Sequence, residues 1–265
     1  MKNLQAWQPS KIYFKRGKIR VNPQGVAASS FYITLEMLQV LQSCQSYLGK
    51  HLVDLGCGNV PFYLWYKDFV QQVTCVDWPN TLHRQEHIDI FADLNQDLPL
   101  DTDSVNCVLL TSVLEHVHNP DVLLREINRI LTKDGYLILS VPFFYHLHEQ
   151  PFDFYRYTPH GLKFLAQQSG FEIVKLHHYG SAFGILIDIS AKVVDVFLRS
   201  IFKIFPKPLA VILRKGGDFC LIQLQRLLFC FFQQKLIVKL INRLNLSSRM
   251  ALGYILVATP VAQDG

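Results

Sequence analysis

Apolar and polar positions follow two different periods along the first 180 residues. Nearly continuous apolar runs bounded by turn residues are typical of strands buried on both faces, and apolar residues at helical spacing are typical of helices that pack on a sheet. The predicted strands lie at 52–55, 71–78, 88–94, 105–112, 135–144 and 171–180. The predicted helices lie at 31–47, 62–70 and 119–131. This alternation predicts an α/β fold with a doubly wound, Rossmann-like sheet, which binds ligands at the carboxyl edge of its strands.

Residues 183–204 and 219–244 show a different pattern, in which long apolar stretches carry a few charges. In 183–204 the five charged residues fall within an arc of about 80° on a helical wheel, which leaves the rest of the helix apolar. In 219–244 a row of three basic residues recurs every fourth position from Lys235, but Arg226 lies off that row. We therefore do not expect residues 219–244 to form a single straight helix. Both segments are too charged to cross a bilayer.

The length and composition suit one large α/β domain with an appendage. The chain has 265 residues, of which 50% are apolar, so we expect a sizeable core and little disorder. Its six cysteines form no CxxC pair, metal-ligand spacing or disulfide framework, and the first residues lack an apolar signal segment. These features predict a reducing, cytoplasmic compartment and no metal site.

Charge is distributed unevenly along the chain. The net charge is +5, but residues 181–250 hold eleven Lys and Arg against three Asp, and the remainder is net acidic. This insertion is either a helical subdomain that buries its apolar faces or a set of helices in a membrane surface with their cations on anionic lipid. The excess of cations favours the membrane. Residues 1–30 are either a solvated arm or a flap whose basic cluster, from Lys11 to Arg20, meets an anionic substrate.

The segment after the predicted strand 52–55 has the chemistry of a nucleotide site. Gly56 and Gly58 let backbone N–H groups approach a ligand, and the start of the following helix adds a partial positive charge. A dinucleotide site would need a third glycine where Pro61 stands. Asp54 at the end of the strand suits instead the ammonium group of an amino-acid-like ligand such as S-adenosylmethionine. The alternative is a plain β-turn with a capping aspartate.

Further polar residues follow the next predicted strands. Asp77 lies 19 residues after Gly58, where a βαβ unit offers a carboxylate to both ribose hydroxyls. Trp78 could then lie against adenine, and Asp93 could accept a hydrogen bond from the adenine amino group. The alternative for Asp77 is an ordinary helix N-cap. His116 is a cofactor-side candidate or a structural histidine.

Residues 143–158 emerge at the same predicted edge and concentrate groups suited to an acceptor substrate. His148 is a candidate base near neutral pH, Asp153 can orient its imidazole, and Arg156 can hold a phosphate or carboxylate. Tyr157 adds an aromatic surface for a sugar or ring. These four residues are the catalytic candidates. The alternative is a structural loop in which Asp153 pairs with Arg156.

These stretches together resemble class I S-adenosylmethionine-dependent methyltransferases of type 11. The likeness rests on VDLGCGNVPF at 53–62, VDWPN at 76–80 and the run from ADLNQDLPL at 92–100 to LSVPF at 139–143. The loop HEQPFDFYRYT at 148–158 is similar to an HxxPxDYxRYT motif that is often associated with bacterial surface-polysaccharide and lipid-linked sugar pathways. The likeness covers roughly residues 30–180.

The resemblance implies a seven-stranded, mostly parallel sheet whose last strand, at 254–261, is antiparallel and follows the apolar helical insertion. It assigns the strand-end acid and the two glycines to the methionine end of the cofactor, Asp77 to the ribose, and Asp93 with its neighbour to the adenine. The full cofactor-binding set is Asp54, Gly56, Gly58, Asp77, Trp78, Asp93, Leu94 and Ser112. Val60 stands where many relatives have a third glycine, and Phe154 replaces the loop tyrosine.

The domain and function expectations follow from these observations. The methyltransferase domain comprises 31–180 and 251–262, with the arm at 1–30 and the insertion at 181–250. We expect S-adenosyl-L-methionine as cofactor, a hydroxyl of a lipid-linked or surface-polysaccharide sugar as acceptor, and peripheral association with the inner face of an anionic membrane. Nucleic acid is not an expected partner. The alternatives are a quinone or other prenylated-ring methyltransferase, and a module that binds the cofactor without turnover.

Overall fold

A computed structural model describes Trp7 and residues 11–80, 85–244 and 250–261, with the side chains at 240–242 excepted. The expected arm at 1–30, the insertion at 181–250 and the segment 251–262 therefore lie partly outside the described residues. The strands are β1 (Ile12–Lys15), β2 (Lys18–Val21), β3 (His51–Leu55), β4 (Gln72–Asp77), β5 (Ile90–Phe91), β6 (Val105–Thr111), β7 (Leu131–Pro142), β8 (Phe171–Tyr179) and β9 (Gly253–Pro260). The helices are α1 (Phe31–Gln42), α2 (Tyr63–Tyr66), α3 (Pro120–Ile130), α4 (Pro159–Gln168), α5 (Ala182–Phe202), α6 (Lys207–Phe232) and α7 (Lys235–Arg243).

Seven of the described strands form one sheet in the order β5-β4-β3-β6-β7-β9-β8. Strands β3 to β7 pair in parallel, and β9 pairs antiparallel with β7. The chain runs outward from β3 to β5 and then returns to the other side of β3 as β6. That reversal creates a topological switch point at the carboxyl ends of β3 and β6, where open α/β sheets bind ligands. The predicted fold class, with a helical insertion before an antiparallel last strand, is confirmed.

The central strands are apolar because helices cover both faces of the sheet. Leu52, Val53 and Leu55 of β3 are fully buried, as are Val108 and Leu109 of β6. A strand with two covered faces has no need for the alternating pattern of a half-exposed strand. The continuous apolar runs in the sequence therefore predict these strands correctly.

Several element boundaries differ from the prediction: the strand predicted at 88–94 is reduced to β5, and the helix predicted at 31–47 ends at Gln42. The helix predicted at 62–70 is reduced to α2, with turns at residues 61–62 before it and 67–69 after it. Strand β7 begins at Leu131, directly after α3, although the strand was predicted to begin at residue 135. Pairing of Leu131 with Val105 extends the strand, and the β6–β7 register shifts between Val105 and Cys107.

The chain divides into two compact units. The first, here called the sheet unit, comprises Met1–Ser10, Val40–His177 and Gly253–Gly265. The second, here called the helical unit, comprises Lys11–Gln39 and His178–Leu252. The helical unit thus combines the β1–β2 hairpin and most of α1 with helices α5 to α7.

Helices α5 and α6 of the helical unit form an antiparallel pair. Phe183 at the start of α5 stacks on Phe232 at the end of α6, with ring centroids 4.9 Å apart. Further along, Gly217 lies against α5, because a Cβ placed there would be 3.3 Å from Leu198. Gln225 of α6 attaches the pair to the segment before α1, since its amide donates to the Ala28 carbonyl over 2.7 Å.

The two aspartates of the charged stripe of α5 face the interior of the helical unit. Asp188 and Asp195 are buried, and they form ion pairs with Lys192 and Arg199 respectively. The Ser29 hydroxyl donates a further bond of 3.3 Å to Asp195. The opposite face of α5 is apolar and exposed. Among the described residues, no helix is both long and apolar enough to span a membrane.

Candidate active site

The turn after β3 carries the chain across the switch point. Gly56, Gly58 and Val60 all adopt positive φ angles, of 63°, 53° and 47°. Glycine is required at position 56, because a Cβ there would lie 2.6 Å from Val113 Cγ2, just after β6. Without a side chain, the turn can pack closely on the neighbouring strand end and keep its backbone open to a ligand.

Asp77 joins the ends of β3 and β4. One of its carboxylate oxygens accepts from the Gly58 N–H over 2.8 Å, and the other accepts from the Trp78 N–H over 2.7 Å. The Cys57 thiol lies 4.0 Å from the oxygen that faces Gly58, as a further weak donor, whereas the other oxygen keeps a second lone pair for a ligand hydroxyl. Buried His87 lies on the other side of the turn, with Nε2 2.6 Å from the Gly58 carbonyl oxygen. The sequence pattern did not identify His87, because nothing in its spacing indicates this contact.

Asp54 is buried at the end of β3. The Tyr66 hydroxyl of α2 donates to it over 3.0 Å, and burial raises its pKa to about 8. The free protein therefore holds this carboxyl largely protonated at neutral pH. A ligand ammonium beside it would favour the ionised form. Asp54 is thus suited to a cationic amino group.

The predicted adenine-side residues lie along the same edge. The Trp78 ring meets the Phe152 ring edge-on, with centroids 5.1 Å apart. Asp93, after β5, accepts from the backbone and the side-chain amide of Asn95, over 3.0 and 2.9 Å. Leu94 is 8% exposed. Trp78 therefore lies beside the loop that was predicted to bind the acceptor.

Ser112 directly follows β6 and has a φ of 53°, a conformation that few non-glycine residues adopt. Its N–H donates to the Ser140 carbonyl of β7 over 2.9 Å. Backbone strain of this kind concentrates at ligand-binding turns. The strained residue lies at the switch point, next to Val113.

Trp7 packs on the glycine turn. Its indole N–H lies 3.3 Å from the carbonyl oxygens of both Asn59 and Val60, and its ring meets Tyr63 edge-on. These bonds occupy carbonyl groups on one side of the turn.

The loop 143–158 is fastened to the segment that follows β6. Tyr157 is buried, and its hydroxyl donates to the Leu114 carbonyl over 3.2 Å. The Phe154 N–H donates to the Glu115 carbonyl over 2.9 Å. The loop and residues 114–116 therefore form one local structure.

Arg156 and Asp153 hold the loop together from within. The guanidinium binds both oxygens of Asp153, over 2.6 and 2.8 Å. Its other hydrogen bonds go to the carbonyl oxygens of Tyr145, His146 and Tyr155. All five N–H groups of the guanidinium are therefore hydrogen-bonded within the protein. The bond to Arg156 holds the pKa of Asp153 well below its usual range.

His148 is oriented by Asp153. The backbone N–H of His148 donates to Asp153 Oδ2 over 2.9 Å, and its ring Nδ1 lies 3.3 Å from the same oxygen. Burial, followed by the charge of His116, lowers the pKa of His148, so the imidazole is neutral at pH 7. Its Nε2 is directed towards Glu115, 3.8 Å away.

Glu115 is the functional candidate that sequence reasoning missed. Its side chain is fully buried, and burial raises its pKa to about 8. It lies 3.8 Å from the Nε2 atoms of both His116 and His148. An acid adjacent to a histidine just after the central strand was the available signal, but the contact with His148 depends on how the loop folds.

Comparison with known proteins identifies the domain. Residues 53–139, which carry the turn, Asp77, the segment after β6 and most of β7, match the family described as "Methyltransferase domain". The chain carries a methyltransferase domain. It is an enzyme of the S-adenosylmethionine-dependent class, and its cofactor is S-adenosyl-L-methionine. No curated protein sequence matches the chain.

Solved structures support the fold of this methyltransferase. It is similar to a SAM-dependent methyltransferase from Archaeoglobus fulgidus, with 13% identity over 86% of this chain and 94% of that chain, at a TM-score of 0.52. It is also similar to the [4+2]-cyclase SpnF, with 17% identity over 88% of this chain and 83% of that chain, at a TM-score of 0.51. Since one fold supports different reactions, the acceptor must be argued from the residues of this chain.

Proposed function

We propose that this methyltransferase methylates a hydroxyl of a lipid-linked or surface-polysaccharide sugar while bound peripherally to a membrane. The observation that carries the proposal is the exposed apolar face of α5 and α6. A soluble surface rarely keeps so large an apolar patch without a partner.

The apolar face, as we define it, consists of large side chains that point away from the interior of the helical unit. On α5 they recur at helical spacing, and Phe197 is 63% exposed. At the α5–α6 connection Ile204 is 82% exposed. The members are Leu186, Ile189, Val193, Val196, Phe197, Ile204, Phe205, Leu209, Ile212, Phe219, Leu224, Leu227 and Phe231. With the aspartates of α5 turned inward, its outer surface resembles that of a helix in an acyl boundary.

Exposed cations accompany this face. Lys203 and Lys207 flank the connection that carries Ile204, and Lys235 and Lys239 extend from α7. The two α7 lysines line an open cavity of about 510 Å³ with Gln233 and Val238. Cations beside apolar side chains complement the phosphates and acyl chains of anionic lipid.

The loop 143–158 supplies surfaces suited to a sugar ring. Phe144, Phe152, Phe154 and Tyr155 are each about 40% exposed. Aromatic faces of this kind pack on the apolar face of a sugar. The bound cofactor supplies an activated methyl group, so the chain has mainly to hold the acceptor in line with it, and neutral His148 can take the hydroxyl proton.

The same apolar and aromatic surfaces would also suit a quinone or another prenylated ring. Both acceptors need access to a membrane, but they differ in the product. Hydrolysis of the headgroup from the lipid separates the two products. The added mass of a methylated sugar then leaves the lipid with the headgroup, whereas the added mass of a methylated ring remains on the prenylated molecule.

The test uses the purified full chain with radiolabelled S-adenosylmethionine, offered to bacterial membranes and to lipid extracts. We expect label in a lipid-linked saccharide, with a mass increase of one methyl group per product. Asp77→Ala should lower both S-adenosylhomocysteine affinity and transfer, because the ribose loses its acceptor. Label confined to a prenylated ring would replace the proposed acceptor. Absence of cofactor binding, with no effect of Asp77→Ala, would contradict the enzymatic assignment.

A further inference from the structure

We propose that Glu115, His116 and His148 form a binding site for a divalent transition-metal ion. Each residue offers one ligand atom, and the three atoms lie within 4.8 Å of one another. Two imidazole nitrogens and one carboxylate oxygen form a ligand set that leaves coordination positions open for a substrate or water.

The distances between the ligand atoms suit this assignment. Glu115 Oε1 lies 3.8 Å from Nε2 of His116 and 3.8 Å from Nε2 of His148. Two ligand atoms bound tetrahedrally at about 2.1 Å from zinc are about 3.4 Å apart. Each of these two pairs therefore has to approach by only about 0.4 Å, and the two imidazole nitrogens, which lie within 4.8 Å of each other, by up to about 1.4 Å.

The groups next to the Nδ1 atoms of both histidines leave the Nε2 atoms directed towards the proposed metal. Nδ1 of His116 lies 2.6 Å from the Phe152 carbonyl oxygen, which only accepts, so Nδ1 carries the hydrogen and Nε2 keeps its lone pair. Nδ1 of His148 lies 3.3 Å from Asp153 Oδ2, at ion-pair distance but without the geometry of a hydrogen bond, so a proton on this nitrogen would face a carboxylate. A carboxylate or carbonyl group behind each metal-binding imidazole is the usual outer shell of such sites. Arg156 in turn holds Asp153 in place.

Glu115 provides an independent observation. Within the described part of the chain, neither of its carboxylate oxygens has a hydrogen-bond partner, although the side chain is fully buried. A buried carboxyl group without partners is costly, and such groups are usually paired or bound to a metal. A cation between Glu115 and the two imidazoles would satisfy it.

The ligand set selects the type of ion. Imidazole nitrogen favours zinc, iron, cobalt or nickel over magnesium and calcium, which prefer oxygen ligands. A role for the ion rests on the proposed function. An acceptor hydroxyl bound at an open position would lose its proton to water more readily, because the ion stabilises the alkoxide, and His148 would then serve as a ligand instead of as the base.

Metal binding is tested with the purified full chain after treatment with chelator and removal of the chelator. Zinc is titrated in competition with a chromophoric chelator, without any acceptor. We expect one equivalent to bind, with little competition from magnesium. Glu115→Gln and His148→Gln should each abolish the tight site, and Asp153→Asn should weaken it by about 10–100-fold through the orientation of His148.

The matched control is His160→Gln, which removes an exposed imidazole from α4 and should leave zinc affinity unchanged. X-ray absorption spectroscopy of the zinc-loaded wild type needs no variant, so it tests the site even if a variant fails to fold. The spectrum should show scattering from imidazole ligands of the zinc. Absence of saturable binding, a shell without imidazole, or equal affinity in Glu115→Gln, His148→Gln and His160→Gln would overturn the proposal. Because no acceptor is present, these outcomes are independent of whether a sugar is methylated.

Discussion

The protonation state of one buried carboxyl group makes cofactor binding depend on pH. Asp54 faces the Tyr66 hydroxyl, with Asp77 and Cys57 nearby, and its raised pKa of about 8 means that it is protonated below that pH. A ligand ammonium reverses this preference, because an opposite charge lowers the pKa of an acid. Binding of the cofactor should therefore release a proton.

We expect S-adenosylhomocysteine binding at pH 7 to release up to about one proton, as a group with a pKa near 8 is mostly protonated there. Calorimetry in buffers of different ionisation enthalpy measures this number directly. Asp54→Asn should bind more weakly and release no proton. Equal release by the wild type and the variant would place the titrating group elsewhere.

Arg156 acts as a positioning residue in the loop 143–158. Removing its side chain leaves the buried Asp153 carboxylate without its cation, which costs about 3 kcal/mol in free energy of unfolding. Arg156→Ala should lower the melting temperature and raise the KM for the acceptor. Affinity for S-adenosylhomocysteine should change by less than about threefold, since Arg156 has no bond to the glycine turn.

Arg156→Lys is the control for charge alone. Lysine keeps the positive charge but cannot bind both Asp153 oxygens through a planar fork, so it should restore little of the loss. Full restoration by lysine, or an unchanged melting temperature in Arg156→Ala, would refute the positioning role.

Among the helices, α5 is inverted relative to an ordinary surface helix. Its buried aspartates face inward and its exposed face is apolar. Exposure of this apolar face to water costs free energy, and contact with a lipid surface would remove that cost. The break at residues 233–234 between α6 and α7 directs Lys235 and Lys239 into the same cavity. Like charges one turn apart repel one another, and anionic phosphates would relieve this repulsion.

We expect the protein to co-sediment with vesicles that contain anionic lipid at low ionic strength, and to be partly released at high salt. Lys235→Glu with Lys239→Glu should weaken vesicle binding by roughly 30-fold or more, at about 1 kcal/mol for each cation near the surface. The matched control is Lys133→Glu with Lys163→Glu, two exposed lysines of the sheet unit. An equal effect of both pairs would indicate net charge instead of a specific surface, and no binding to any vesicle would refute the membrane proposal.

At the scale of the whole molecule, different functions are assigned to the two units. The sheet unit holds the glycine turn, Asp77 and the loop, and the helical unit holds the apolar face and its lysines. Effects on cofactor binding and on membrane binding should therefore be separable.

We expect the Lys235→Glu, Lys239→Glu variant to bind S-adenosylhomocysteine within about twofold of the wild type. It should methylate a detergent-solubilised acceptor normally and the same acceptor in anionic vesicles poorly. Comparison of the two initial rates measures the effect. A parallel loss of cofactor affinity would show that the charge reversal damages the fold.

The sequence alone determined the sheet and the glycine turn, because both depend on local patterns. Continuous apolar runs around Val53 and Val108 predict doubly covered strands, and Gly56 and Gly58 predict a turn that only glycine fits. Asp77 follows its strand at a spacing that the βαβ unit imposes. Residues close in sequence were therefore sufficient for this part.

Only the tertiary structure decided which distant side chains meet. Glu115 and His148 approach within 3.8 Å because the loop folds back on the segment after β6. The helical wheel of α5 shows a charged stripe, but it cannot show that Asp195 bonds to Ser29 and faces inward. Periodicity specifies that two faces differ, and the packing partner decides which face is buried.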